Sequence, residues 1–208
     1  MLDARLRPIA APTLERVAAV LDRAWMTPDR LTVLGLVTGL ASAASSALQW
    51  WPTALVLWLL SRVADGLDGP LARRRADRLG VPDAGAGGFL DITCDFVVYG
   101  ATVVGVAVGA TAGGGAPWWP FLLVLLAYYV NGTALLAFSS IAERAGRTRD
   151  DGRSLSFLGG LAEATETIIV HTLWLAVPAA AGTIAGVWAG VVGVGAACRV
   201  VAGYRALR

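Results

Sequence analysis

Apolar residues run through this chain in long blocks, each near the ~20 residues a helix needs to cross a bilayer. Six such blocks fall at 31–49, 53–72, 89–112, 118–141, 156–179 and 183–204. They are parted by Trp50-Trp51-Pro52, an Arg-rich loop, the stretch from Gly113 to Pro117, a second Arg-rich loop, and the stretch from Pro178 to Gly182. Residues 1–28 follow another pattern. Leu14, Val17, Ala18 and Leu21 recur at i, i+3, i+4 and i+7, while Glu15, Arg16, Asp22 and Arg23 face elsewhere. That periodicity predicts an amphipathic helix in the headgroup plane. The expected fold is all-α: a polytopic membrane protein with six transmembrane helices and an N-terminal amphipathic surface helix. It divides into an amphipathic juxtamembrane helix, 1–28, and a six-helix transmembrane domain, 29–208.

Composition agrees with this pattern. The 208 residues are 56% hydrophobic and 15% charged, with mean hydropathy +0.64, too apolar for an ordinary soluble domain. The net charge of +2 comes with dispersed basic residues, which argues against nucleic acid as a partner. All 17 basic residues are arginine, and their placement sets the orientation. Arg5, Arg7, Arg16, Arg23 and Arg30 precede the first span. Arg73, Arg74, Arg75 and Arg78 follow the second, Arg144, Arg147, Arg149 and Arg153 follow the fourth, and Arg205 and Arg208 follow the last. The other connections carry none, so the positive-inside rule predicts cytoplasmic termini and cytoplasmic Arg-rich loops. Trp50, Trp51, Trp118 and Trp119 suit an interfacial belt. No secretory leader is expected, because no apolar core follows the first arginines. Cys94 and Cys198 lie in apolar stretches without a CxxC spacing and are expected to be buried, inert thiols. Gly35 with Gly39, Gly105 with Gly109, and Gly182 with Gly186 and Gly190 are spaced for close helix packing, with a dimer face as the alternative.

Carboxylates at membrane depth are costly and need a partner or a task. Asp65 and Asp68 stand at the inner end of the second span, and Asp91 and Asp95 at the start of the third. Spacings of i, i+3 and i, i+4 put each pair on one helix face. Antiparallel neighbours would bring all four to one depth. At ~4 Å, two like charges repel by about 4 kcal/mol at an effective dielectric near 20, so the group calls for cations. Oxygen donors favour Mg²⁺, Mn²⁺ or Ca²⁺ over zinc, and four carboxylates suffice for two ions flanking a phosphoryl displacement. Gly66, Gly69, Gly87 and Gly88 permit close backbone approach, and Arg73 offers a fork to phosphate oxygens. The plainer alternative is solvated helix-end acids beside a basic loop. A transporter or ion exchanger would also use such acids, although transport sites usually sit nearer the midplane. A prenyltransferase would share the Asp-rich chemistry but needs more spans and another spacing.

The run Asp65, Asp68, Gly69, Ala72, Arg73, then Gly87, Asp91, Asp95, resembles the CDP-alcohol phosphotransferase signature, Asp-x-x-Asp-Gly-x-x-Ala-Arg followed by Gly-x-x-x-Asp-x-x-x-Asp. The six-span layout and Thr27-Pro28-Asp29-Arg30-Leu31-Thr32 resemble the same family, where Asn usually replaces Asp29. The resemblance extends over nearly the whole chain and is nearest to a bacterial inner-membrane branch of uncertain substrate, which similarly reads Asp-Gly-Leu-Asp-Gly and Gly-Gly-Phe-Leu-Asp-Ile and has a run like Phe157 to Thr167. The spacer between Arg73 and Gly87 is longer than usual, and its extra stretch, with Gly80, Pro82, Gly85 and Ala86, is expected to bulge as cytoplasmic loop. The resemblance implies transfer of a phosphatidyl or similar group from a CDP-linked lipid donor to an alcohol acceptor in phospholipid synthesis, with release of CMP. It further implies two Mg²⁺ or Mn²⁺ ions on Asp65, Asp68 and Asp91. Asp95 would complete the metal site and act as general base, Gly69, Ala72 and Arg73 would frame the CDP moiety, and the enzyme would be a homodimer. Glu163 and Glu166, further along the fifth span, would line an acceptor pocket or brace the catalytic face. Arg199 would bind an anionic acceptor or snorkel to the headgroups. His171, the single histidine, lacks any paired-ligand context and is expected to serve helix packing.

Overall fold

The computed structural model describes residues 3–80, 85–146 and 163–208, with side chains from Pro8 onward. The described residues form helices α1 (Asp3–Leu21), α2 (Pro28–Ala47), α3 (Trp51–Leu79), α4 (Ala86–Gly114), α5 (Trp119–Arg144), α6 (Ala164–Ala176) and α7 (Ala181–Leu207), with a 3₁₀ turn at Pro178–Ala180 and no strand among them. Among the described residues, four segments are long and apolar enough to cross a membrane: α2, α4, α5 and the stretch Pro178–Leu207. The C-terminal half of α3 carries acids and arginines of the candidate site. The described part of α6 is 13 residues long, and positions 156–162 of the expected fifth span lie outside the described residues.

Local signals explain the helix ends. Thr27 caps α2, its hydroxyl accepting from the Arg30 N–H at 3.2 Å, with Pro28 following in the first turn. The arginines after the second span were expected in a loop, but α3 runs on through Arg73, Arg74, Arg75 and Arg78. Arginine and alanine favour helix, and no breaker intervenes until Gly80, whose φ of 62° makes it a left-handed C-cap. The spacer thus begins as helix through Leu79, while positions 81–84 of the stretch expected to bulge lie outside the described residues. The first helix likewise stops at Leu21 rather than reaching residue 28.

Alpha-helix α2 lies against both α3 and α4, while α5 packs along α7 and α6 reaches α3. The glycine pairs make the first contacts possible. A Cβ on Gly105 would stand 2.2 Å from the Ala43 carbonyl oxygen, and one on Gly109 2.0 Å from that of Ser46. Gly39 similarly receives Val98. Without a hydrophobic drive between helices in lipid, such close approach is a main source of stability. Gly109→Ala should therefore destabilise by about 1–3 kcal/mol through overpacking against backbone, read as a lower Tm in detergent. Gly186 and Gly190 have no neighbour within 4 Å of a built Cβ and serve no helix packing within the described chain.

The main core gathers Trp58, Phe121, Trp174, Trp188 and, from α4, Val98, Val103 and Val106. His171 is fully buried in it, with its Nε2 2.9 Å from the Tyr128 hydroxyl, which also accepts from Trp188 Nε1 at 2.7 Å. A packing role for the histidine fits this setting. Cys94 is buried, but Cys198 is exposed, because it falls on the outward face of α7. Trp50, Trp118 and Trp119 are exposed, while Trp51 is partly buried against the core.

A smaller cluster of Ala18, Leu31, Leu67 and Leu71, bordered by Leu14, Leu21 and Met26, fastens α1 to the inner end of α3. Val17 points away and is exposed. Asp22 ties the same junction. It accepts from Arg75 Nε at 3.0 Å and Arg78 Nη1 at 2.9 Å, with Arg74 Nε at 3.4 Å. The Arg75 hydrogen bond, aided by the charges of Arg78 and Arg74, holds the Asp22 carboxyl below its ordinary value of 3.8. A lowered value means that this stabilisation is complete above the ordinary value and is lost as pH falls through the folded-state one. The junction should thus be insensitive to pH near neutrality. Asp22→Asn should mimic strong acid at pH 7, speeding hydrogen exchange in α1 but not in α5 or α7.

Candidate active site

The catalytic candidates sit where α3 and α4 pass each other beside the start of α2. Asp65 and Asp68 share one face of α3 at i, i+3, and Asp91 and Asp95 one face of α4 at i, i+4. Asp65, Asp91 and Asp95 each present a carboxylate oxygen within 4.8 Å of the other two. Asp68 is buried beside this trio. Its Oδ2 accepts from the Thr32 hydroxyl at 2.6 Å, an anchor supplied by α2. Thr32 was noted in the sequence only as part of the run at the first span. Its position five residues after Thr27 brings it to the inner turns of α2, level with Asp68.

Arg62, which falls within the second apolar block, enters the acid cluster directly. Its Nη1 donates to Asp95 Oδ1 at 2.7 Å and lies 3.6 Å from Asp65 Oδ2. Its position one turn before Asp65 was the available signal.

Two acids of the cluster, Asp68 and Asp91, line a cavity of about 310 Å³ together with Asp29, Gly69, Ala72 and Arg73. Gly87 and Gly88 line it as well. The three residues expected to frame a nucleotide thus stand beside two of the acids. The Arg73 guanidinium folds back along α3, 3.3 Å from where a Cβ on Gly69 would be. Asp29, in the first turn of α2, lies 4.0 Å from the corresponding position of Gly87.

A second cavity of about 340 Å³ lies among α4, α5, α6 and α7, with Tyr99, Tyr128, Asn131, Glu163, Thr167 and Arg199 among its lining residues. Tyr99 is one turn along α4 from Asp95. Arg199 is buried and donates from Nη1 to Asn131 Oδ1 at 2.7 Å. It therefore does not snorkel, because its partner draws it into the bundle. Glu163 is the N-cap residue of α6 and Glu166 lies in that helix's first turn, where acidic groups complement the helix dipole.

The donor set suits a hard divalent ion. It consists of carboxylate oxygens only, and ligands ~2.1 Å from a Mg²⁺ stand about 3–4 Å apart, a modest closure from the spacing of the trio.

The sequence pattern of the CDP-alcohol phosphatidyltransferase family matches residues 25–197, which include both acid pairs and the lining of the first cavity. The chain belongs to that family. It is accordingly a transferase of phospholipid synthesis, and the acid cluster agrees with the family's use of divalent metals. It is 40% identical over 187 residues to inner membrane protein YnjF of Escherichia coli, covering 86% of this chain and 84% of that protein. It is 30% identical over 159 residues to a phosphatidylinositol phosphate synthase of Mycobacteroides abscessus, covering 74% of this chain and 64% of the relative. In fold it resembles the phosphatidylinositol phosphate synthase of Mycobacterium tuberculosis, solved with CDP-DAG bound. The TM-score is 0.71 at 22% identity, over 92% of this chain and 93% of that one.

Proposed function

We propose that this phosphatidyltransferase moves a phosphatidyl group from CDP-diacylglycerol or a similar CDP-linked lipid to an alcohol, releasing CMP. The observation that carries this reading is Asp91, which belongs to the carboxylate trio and also lines the cavity holding Asp68, Gly69, Ala72 and Arg73. Asp65, Asp68, Asp91 and Asp95 would hold two Mg²⁺ or Mn²⁺ ions. When bound, these would neutralise the diphosphate and stabilise the charge that develops as CMP leaves. Arg73 binds the diphosphate oxygens, and Gly69 and Ala72 leave room for the cytidine end. Asp95 accepts the proton of the acceptor hydroxyl. The hydroxyl oxygen then bonds to the lipid-bearing phosphorus as that phosphorus loses its bridging oxygen to CMP.

The second cavity is the proposed acceptor site. Its Asn131, Glu163 and Arg199 supply hydrogen bonds to a polar alcohol, and Tyr99 links it to the Asp95 face of α4. The M. abscessus relative supports a polyol phosphate among the acceptors to be tried.

The proposed setting is a six-span protein of the inner membrane, with α3 and α6 completing the spans and α1 on the cytoplasmic surface. Both termini and the site face the cytoplasm, as the arginine distribution supports. A homodimer is proposed from the family resemblance. Purified protein incubated with CDP-diacylglycerol, Mn²⁺ and a panel of alcohols should release CMP together with one phosphatidyl product. CMP release with no acceptor-linked lipid would refute a transfer to alcohol.

A further inference from the structure

Arg62 occupies a built position rather than a chance one. Its side chain is only 6% exposed. Nη2 donates to Ser61 Oγ at 2.9 Å, and that hydroxyl donates to the Gly35 carbonyl at 2.6 Å, so α2 takes part in fixing the group. The Trp58 and Tyr99 rings each have their centroid 5.0 Å from Arg62 Cζ, a cation–π setting on both α3 and α4. The remaining Nη1 edge faces Asp95 at 2.7 Å and Asp65 at 3.6 Å.

A charge held in this way acts on the acid cluster whether or not an ion is present. Without an ion, it is the positive group that keeps Asp65 and Asp95 close despite their mutual repulsion. With an ion arriving, it is a like charge a few ångströms away, in surroundings that screen poorly. It also keeps hold of one Asp95 oxygen, which leaves the other to face incoming groups. We infer that Arg62 is a resident cation of the acid cluster: it orients Asp95 as a positioning residue and weakens the cluster's grip on divalent ions. This inference rests on the reading of the cluster as a metal site. It gives the arginine a definite duty, which is to keep the carboxylates assembled between turnovers and the ions exchangeable.

The two duties predict opposite effects of one substitution. In Arg62→Gln, donor-free protein should bind Mn²⁺ at least tenfold more tightly than the unaltered protein, measured by electron paramagnetic resonance of free Mn²⁺ during titration. Its kcat should nevertheless fall at saturating metal, because Asp95 has lost its fixed orientation. In EDTA its thermal midpoint should drop, and excess Mn²⁺ should raise that midpoint by more than it does for the unaltered protein. A purely structural arginine would give weaker metal binding on removal, since a loosened cluster binds ions less well. Arg62→Lys keeps the charge and should hold Mn²⁺ affinity within about threefold of the unaltered protein, and it provides the test if the glutamine variant cannot be isolated. Equal or weaker Mn²⁺ affinity in Arg62→Gln, or tightening in Arg62→Lys as large as that expected for glutamine, would overturn the inference while leaving the metal site in place. Absence of Mn²⁺ binding to the unaltered protein would overturn both.

Discussion

Asp95→Asn should abolish transfer: loss of a positioned general base typically costs ~10²–10⁴-fold in rate, while CDP-donor affinity should change far less. The asymmetry follows from geometry. Asp95 is one member of the carboxylate trio and is absent from the lining of the cavity that holds Gly69, Ala72 and Arg73. Asparagine has nearly the same shape and can still accept from Arg62 through its amide oxygen, so the fold of the cluster should survive. What it lacks is a basic site for the hydroxyl proton. Turnover by CMP release and donor affinity by titration separate the two effects. A variant that fails to bind donor would count against the assignment of Asp95 as base.

Asp91→Asn should act on metal first and on rate as a consequence. Asp91 belongs to the trio and also lines the first cavity, so it adjoins both the proposed ions and the proposed diphosphate. Loss of an outer-shell partner alone typically costs 10–100-fold in metal affinity, and a direct ligand should cost at least that much. Mn²⁺ titration reads the effect, and raised Mn²⁺ should recover part of the lost rate. Asp68→Asn should weaken Mn²⁺ less, because Asp68 stands beside the trio and is held by Thr32. Unchanged affinity in that variant would remove Asp68 from the ligand set.

Much of this site was legible in the linear sequence because it depends on helical spacing. Asp65 with Asp68 and Asp91 with Asp95 each share a face by counting alone, and antiparallel neighbours place them at one level. Gly105 and Gly109 were likewise readable as packing positions, and they receive the backbone of α2. What spacing cannot convey is which faces of different helices meet. Arg62 falls within an apolar block, and only its contact with α4 makes it part of the cluster. Arg199 left two readings open, and the partner that decides between them, Asn131, is 68 residues away. The arginines after Asp68 were read as loop from their charge. The side chains of Arg74, Arg75 and Arg78 instead find Asp22 on the α1–α2 connection, and α3 continues beneath them. Cys198 was expected inside because its neighbours are apolar. In a bilayer, apolar surroundings do not distinguish the interior of a bundle from its lipid-facing surface.

The central claim is that the acid cluster, together with Arg73 and its glycines, splits a CDP-linked lipid by a metal-dependent attack of an alcohol. The most direct test is to supply purified protein in lipid nanodiscs with CDP-diacylglycerol labelled in the cytidine phosphate. Acceptor alcohols and Mn²⁺ are added or withheld, and CMP and lipid products are quantified together. The account predicts CMP and a phosphatidyl-alcohol in equal amounts, both lost on chelation and restored by Mn²⁺. Label remaining in CDP-diacylglycerol under all acceptors, in protein shown to bind that donor, would contradict it, and so would CMP release undiminished by chelation.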